Sequence, residues 1–296
     1  MELGRISTAM VTPFSETGAI DFDKTATLIE HLIANGTDSL VVCGTTGESP
    51  TLTAVEKEEL LSFTINTVNK RIPIIAGTGS NSTAESIENT KIADRVGADG
   101  IMLVTPYYNN PDQKGMYAHF STIAEVTKLP VLMYNIPGRS VINMLPETTI
   151  ALSKVKNIRG MKEASGNLEQ MAEIITGTDA SFSVYSGDDG LTLPLLAIGG
   201  KGVISVAAHI VGNEMQCMIA AFKEGRTEEA ATMHRTFLPL FRALFASPNP
   251  VPVKYGLKNI GVDTGGVRLP LVGYDEQNEA FDKVWESFKQ NEHIFK

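Results

Sequence analysis

The chain has 296 residues, 43% of them hydrophobic, and a formal net charge of -9. An acidic chain without a basic run repels phosphate backbones, so nucleic acid is not an expected partner. Its only two cysteines, Cys43 and Cys217, form no Cys-x-x-Cys pair, which argues against a disulfide framework.

The stretch from Met1 to Phe14 lacks the charged start and apolar block of a secretion signal. No apolar run approaches the roughly 20 residues a bilayer crossing needs. A cytoplasmic protein with no membrane partner is expected. The first predicted strand, Ile6–Val11, leads into Thr12-Pro13-Phe14-Ser15. A doubly wound sheet would place a glycine-rich phosphate turn there. Asp21 then reads as the N-cap of a helix with the stripe Phe22, Ala26, Ile29, Ile33, and Gly36 as its stop. Strand two is Ser39–Cys43, and Thr53 with Glu56 forms a capping box for the helix that follows. Strand three, Ile72–Ala76, runs into Gly77-Thr78-Gly79-Ser80-Asn81-Ser82. That turn lacks the ending of a phosphate loop and reads as the entry to a helix boxed by Ser82 and Glu85 and closed by Gly97.

Strands four to eight are predicted at Gly100–Val104, Val131–Asn135, Ile158–Glu163, Phe182–Ser186 and Gly202–Val206. Several are continuously apolar, such as Val131-Leu132-Met133-Tyr134, as strands covered on both faces require. Eight strands alternating with helices predict an α/β fold, a closed (β/α)8 TIM barrel over residues 1–210. Residues 211–296 carry helical patterning at Glu214–Lys223, Thr227–Phe245 and Asn278–Phe288, with Pro248, Pro250 and Pro252 breaking the chain between them. They predict a C-terminal helical extension packed on the barrel.

Barrels of this kind place their chemistry at the C-terminal ends of the strands. Lys162 stands near the end of strand six, and alternation puts it on one face with Ile158 and Gly160. Two readings stand for it: a solvated strand-end lysine, alone or paired with Glu163, or an amine buried in the barrel mouth. An ordinary lysine is neutral in about one molecule in 2500 at pH 7, whereas burial favours the neutral, nucleophilic form. Tyr134, ending strand five, is either a core tyrosine or a proton donor and acceptor. Gly44-Thr45-Thr46-Gly47-Glu48-Ser49, after strand two, is either a plain turn or a cradle of hydroxyl and N–H groups for a carboxylate. Arg139 offers a bidentate carboxylate grip or a surface ion pair. The pair Tyr107-Tyr108 suggests an interface. The five histidines are scattered and form no short ligand pair, so no metal and no cofactor is expected. Asp188-Asp189 reads as a pair of exposed loop acids rather than a cation site.

These segments resemble the dihydrodipicolinate synthase and N-acetylneuraminate lyase superfamily. The likeness lies in Gly44-Thr45-Thr46-Gly47-Glu48, Val104-Thr105-Pro106-Tyr107-Tyr108, Tyr134-Asn135-Ile136-Pro137-Gly138-Arg139, Gly160-Met161-Lys162-Glu163 and Gly202-Val203-Ile204-Ser205-Val206. Together they extend the resemblance over essentially the whole chain. It implies a Schiff-base-forming lyase that condenses pyruvate with L-aspartate 4-semialdehyde in lysine and diaminopimelate biosynthesis. It assigns Lys162 the imine, and Tyr134, Thr45 and Tyr108 a proton relay with Tyr108 supplied by a neighbouring subunit. By the same resemblance Thr46 is expected to hold the pyruvate carboxylate, the Ile204 carbonyl to lie close to the lysine, and Arg139 to bind the second substrate. It further implies a homotetramer, a dimer of tight dimers. Ala54 and Lys57 depart from the pattern of lysine-inhibited members, which carry two histidines there, so weak or absent lysine feedback is expected.

Overall fold

The computed structural model describes residues 3–274 and 277–295. Eight strands, β1 (Ile6–Ala9), β2 (Ser39–Val42), β3 (Ile74–Gly77), β4 (Gly100–Val104), β5 (Val131–Asn135), β6 (Ile158–Glu163), β7 (Ser183–Ser186) and β8 (Gly202–Ser205), close into one barrel in sequence order. All neighbours pair in parallel, and β8 returns to β1. The predicted first strand stops two residues early because the Val11 N–H turns away to His209 Nε2, 3.1 Å distant. The third starts two residues late, after Pro73, which has no N–H to give a ladder.

Strand alternation divides the apolar side chains into two layers. Val41, Ile75, Met102, Leu132, Tyr185 and Ile204 fill the barrel interior. Val42, Leu103, Met133 and Met161 point outward and pack on the helices. Each such large apolar side chain contributes roughly 1.5–3 kcal/mol on burial. A bulge in the β5–β6 pairing, between Val131 and Leu132, changes the phase of β6. Ile158 therefore faces the helices with Met161, not the interior with Lys162 as simple alternation predicts. Gly160 does lie inside, where an added Cβ would meet Leu132 Cδ1 at 3.0 Å.

The surrounding helices are α1 (Phe22–Ala34), α2 (Ala54–Val68), α3 (Thr83–Val96), α4 (Gln113–Glu125), α5 (Pro137–Ser140), α6 (Pro146–Leu152), α7 (Leu168–Gly177) and α8 (Thr192–Ala197). Asp21 caps α1, and Thr53 with Glu56 forms the full box on α2. At α3 the box is half formed: Ser82 accepts from the Glu85 N–H, while the Glu85 carboxylate accepts from the Ser80 hydroxyl instead. Helices α9 (Ala208–Lys223), α10 (Thr227–Ala243), α11 (Val251–Asn259) and α12 (Glu279–Gln290) follow, and a short 3-10 turn at Glu292–Phe295 comes after them. Helix α9 begins earlier than its pattern suggests because Ser205 Oγ accepts from the Ala208 N–H at 2.8 Å. Helix α11 lies where prolines were expected to break the chain. Pro252 sits in its first turn, where a missing N–H costs nothing. Among the described residues no helix is long and apolar enough to cross a membrane.

Candidate active site

Lys162 reaches the mouth of the barrel from β6 and is 5% exposed. In the sheet it lies between Tyr134 on β5 and Tyr185 on β7. Its Nζ stands 4.4 Å from the centre of the Tyr134 ring. Gly187 closes on its stem, and a Cβ there would meet Lys162 Cε at 3.1 Å and Ala164 Cβ at 2.7 Å. Burial pushes the amine down to about 8; the Asp189 carboxylate partly opposes this, and the Arg139 guanidinium adds to it.

The alternative of a Lys162–Glu163 pair does not occur. Glu163 faces the opposite side of β6, fully buried, and accepts from the Ser165 N–H at 2.6 Å and the Gln170 amide at 3.2 Å. The Asn135 amide also donates to it, at 3.1 Å. Burial raises its carboxyl above the usual range, with those hydrogen bonds pulling the other way.

Tyr134 is buried, and burial pushes its phenol up to about 12, although Arg139 and a hydrogen bond with Thr45 pull it down. The phenol therefore keeps its proton at neutral pH. Thr45 lines a cavity of about 410 Å³ at the mouth, with Gly44, Met102, Val104, Tyr134 and Arg139. A second cavity, about 530 Å³, shares Ile136 and Arg139 and continues past Ala164, Gly187 and Asp188 to Leu238 and Arg242 of α10. Arg139 is exposed on the rim between them. Thr46 is buried, and its hydroxyl accepts from the Asn249 amide at 2.9 Å, leaving its own proton to donate. Ile204 lies in the interior with Tyr134 and Tyr185. Tyr108 is not brought to this group within one chain. It is 91% exposed, with φ +70°, a conformation bulky residues rarely hold.

Sequence reading missed two features. Asp189 is not an exposed loop acid; it is 2% exposed and accepts from the Ser205 hydroxyl and from the N–H groups of Val206 (3.1 Å) and Ala207 (3.0 Å). Burial raises its carboxyl to about 6 against those hydrogen bonds. Only the neighbouring Asp188 is exposed. The second feature is a group from the C-terminal extension, Asn249 just before α11, Lys254 on α11 and Arg268 in the loop after it, that backs the Thr45–Thr46 loop. The only sequence signal for it was the cluster of prolines before α11. Among the described residues no three His, Cys, Asp or Glu side chains gather as metal ligands. The arrangement supplies a partly neutral amine, a protonated phenol, two threonine hydroxyls and an open guanidinium, a set suited to imine formation with an anionic ketone.

Residues 2–287 match the model of the Dihydrodipicolinate synthetase family. A protein of Bacillus velezensis named 4-hydroxy-tetrahydrodipicolinate synthase is 57% identical over 276 residues, 93% of this chain and 96% of that protein. The protein of the same name from Listeria monocytogenes serovar 1/2a is 53% identical, over 98% of this chain and 100% of that one. Among solved structures, a dihydrodipicolinate synthase from Bacillus anthracis superposes with a TM-score of 0.94 at 50% identity, covering 98% of each chain. One from Cyanidioschyzon merolae with lysine bound gives 0.92 at 46% identity, covering 99% of this chain and 98% of that one.

Proposed function

Because the chain belongs to the dihydrodipicolinate synthetase family, we propose that it condenses pyruvate with L-aspartate 4-semialdehyde, the 4-hydroxy-tetrahydrodipicolinate synthase reaction of lysine and diaminopimelate biosynthesis. The observation that carries this reading is the Lys162 amine, buried over the Tyr134 ring and pushed down to about 8.

Lys162 attacks the ketone carbon of pyruvate. The Tyr134 phenol, in relay with Thr45, protonates the carbinolamine oxygen, which leaves as water. The relay takes a methyl proton to give the enamine, whose carbon attacks the aldehyde of the second substrate while the relay returns a proton to the aldehyde oxygen. The amine of that substrate then displaces Lys162 as the ring closes, so one water is lost per product, and the enzyme is a carbon–oxygen lyase. Thr46 donates to the pyruvate carboxylate and the Ile204 carbonyl lies close to the lysine. Arg139 grips the carboxylate of the semialdehyde through two parallel hydrogen bonds. A substrate lacking that carboxylate leaves the arginine unpaired and binds less well.

The exposure of Tyr108 and of Val141, both at positive φ, supports a tight dimer in which Tyr108 completes the relay of its neighbour, two such dimers forming a tetramer. We divide the chain into a catalytic barrel, residues 1–210, and a helical extension, residues 211–296, and assign it to the cytoplasm. Borohydride reduction in the presence of pyruvate should leave a three-carbon adduct on Lys162 in mass spectra. Turnover with aspartate semialdehyde should exceed turnover with N-acetylneuraminate. An unmodified Lys162 sinks the reading.

A further inference from the structure

The loop that carries Thr45 and Thr46 is held from behind by residues more than 200 positions away. Glu48, at the end of that loop, is a non-glycine residue in the left-handed region, with φ 55° and ψ 33°. Residues other than glycine stay there only when surrounding contacts hold them. The Glu48 carboxylate is buried and lies 3.0 Å from the Nζ of Lys254, itself buried. Its other oxygen accepts from the Arg268 N–H at 2.9 Å.

Lys254 has three protons and three oxygen neighbours. Besides the ion pair with Glu48 it donates to the carbonyls of Thr12 (2.7 Å) and Gly266 (2.6 Å), and the Phe14 ring lies 4.4 Å from the ammonium. Thr12 in turn donates to the Gly47 carbonyl at 2.7 Å, gripping the loop a second time. Five residues before Lys254, just ahead of α11, Asn249 donates to the Thr46 hydroxyl at 2.9 Å. That bond uses an acceptor site of Thr46 and directs its proton elsewhere. The result is a hydroxyl oriented by a charge clamp that neither reacting partner touches.

We propose that the Lys254–Glu48 pair is a positioning device for pyruvate: it fixes the backbone at Glu48, and thereby the Thr45 and Thr46 hydroxyls, so that the C-terminal extension forms part of the carboxylate site. This rests on the pyruvate-lyase reading above. Lys254 acts through the loop and is a positioning residue, not a catalytic one. An ion pair this deeply buried is seldom the cheapest way to stabilise a fold, since its desolvation offsets much of its attraction. Holding a strained loop gives the pair a role beyond stability.

The test is the double variant Glu48→Gln/Lys254→Met, which removes both charges together and leaves neither buried alone. Thermal unfolding reports whether it folds, and pyruvate-dependent trapping at Lys162 reports the site. A folded double variant should need roughly ten-fold more pyruvate for half-saturation, since misplacing a binding group by an ångström costs up to about 100-fold. The pH midpoint of trapping should remain near that of the wild-type chain, because the lysine's own surroundings are unchanged. A loss of stability with unchanged half-saturation overturns the proposal. Should the double variant not fold, the isosteric Glu48→Gln carries the test, with an expected rise of about three-fold and the same overturning result. A wild-type chain that forms no pyruvate adduct overturns the lyase reading itself, and this role with it.

Discussion

Titrating the wild-type chain from about pH 6 to about pH 10 with pyruvate and cyanoborohydride reads the Lys162 amine directly. With its amine at about 8, roughly one molecule in eleven is neutral at pH 7, against about one in 2500 for an ordinary lysine, a gain of about 200-fold in nucleophile. The initial trapping rate should rise ten-fold per pH unit at the acid end and level off above about 8. The main cause is burial, so charge changes nearby should move the midpoint only modestly and in opposite directions. Arg139→Gln moves it up, because the guanidinium disfavours the ammonium; Asp189→Asn moves it down, because the carboxylate favours it. Glu163→Gln, on the far side of β6, should leave it in place. The shift is also a stability statement. The folded-state value lies below the unfolded one, so the stability linked to the neutral amine is present above about 10.5 and lost as pH falls through about 8. At pH 7 the buried lysine therefore costs the fold about 3 kcal/mol. Lys162→Met should abolish trapping while raising the unfolding temperature at pH 7, a gain that fades toward pH 10. A trapping midpoint near 10, as for a solvated lysine, would refute the reasoning.

Tyr134→Phe should lower kcat by roughly 10²–10⁴-fold, the usual worth of a positioned proton donor. Its unfolding temperature should change little, since the ring and its packing remain; a kcat within a few-fold of the wild-type value counts against the relay. Lys57 lines the mouth cavity near Ser49, Glu85 and Tyr107, where its cation opposes an incoming L-lysine. Calorimetry should detect no tight L-lysine binding to the wild-type chain, and Lys57→Ala should strengthen binding about ten-fold or more. Tight binding to the wild-type chain would overturn this.

Much of the fold was legible because its signals are local. Continuous apolar runs marked the strands, and Asp21, Thr53 and Ser82 marked helix starts through hydrogen bonds to residues three positions on. The sequence by itself also determined which chemistry stood at strand ends: Lys162, Tyr134, the two threonines and Arg139. What it did not determine was environment. Local alternation carries no sign of the bulge that turns Ile158 away from Lys162, because the extra residue answers to the partner strand. Asp188 and Asp189 are chemically identical neighbours, and only the approach of the β8–α9 junction buries one and leaves the other in water. Asn249 meets Thr46 across 203 positions, a contact that exists once the C-terminal helices close over the loop. The low basicity of Lys162 belongs to the same class. A lysine's pKa depends on how much water its ammonium loses, and eight strands, the first at Ile6 and the last ending at Ser205, must meet before that water is excluded.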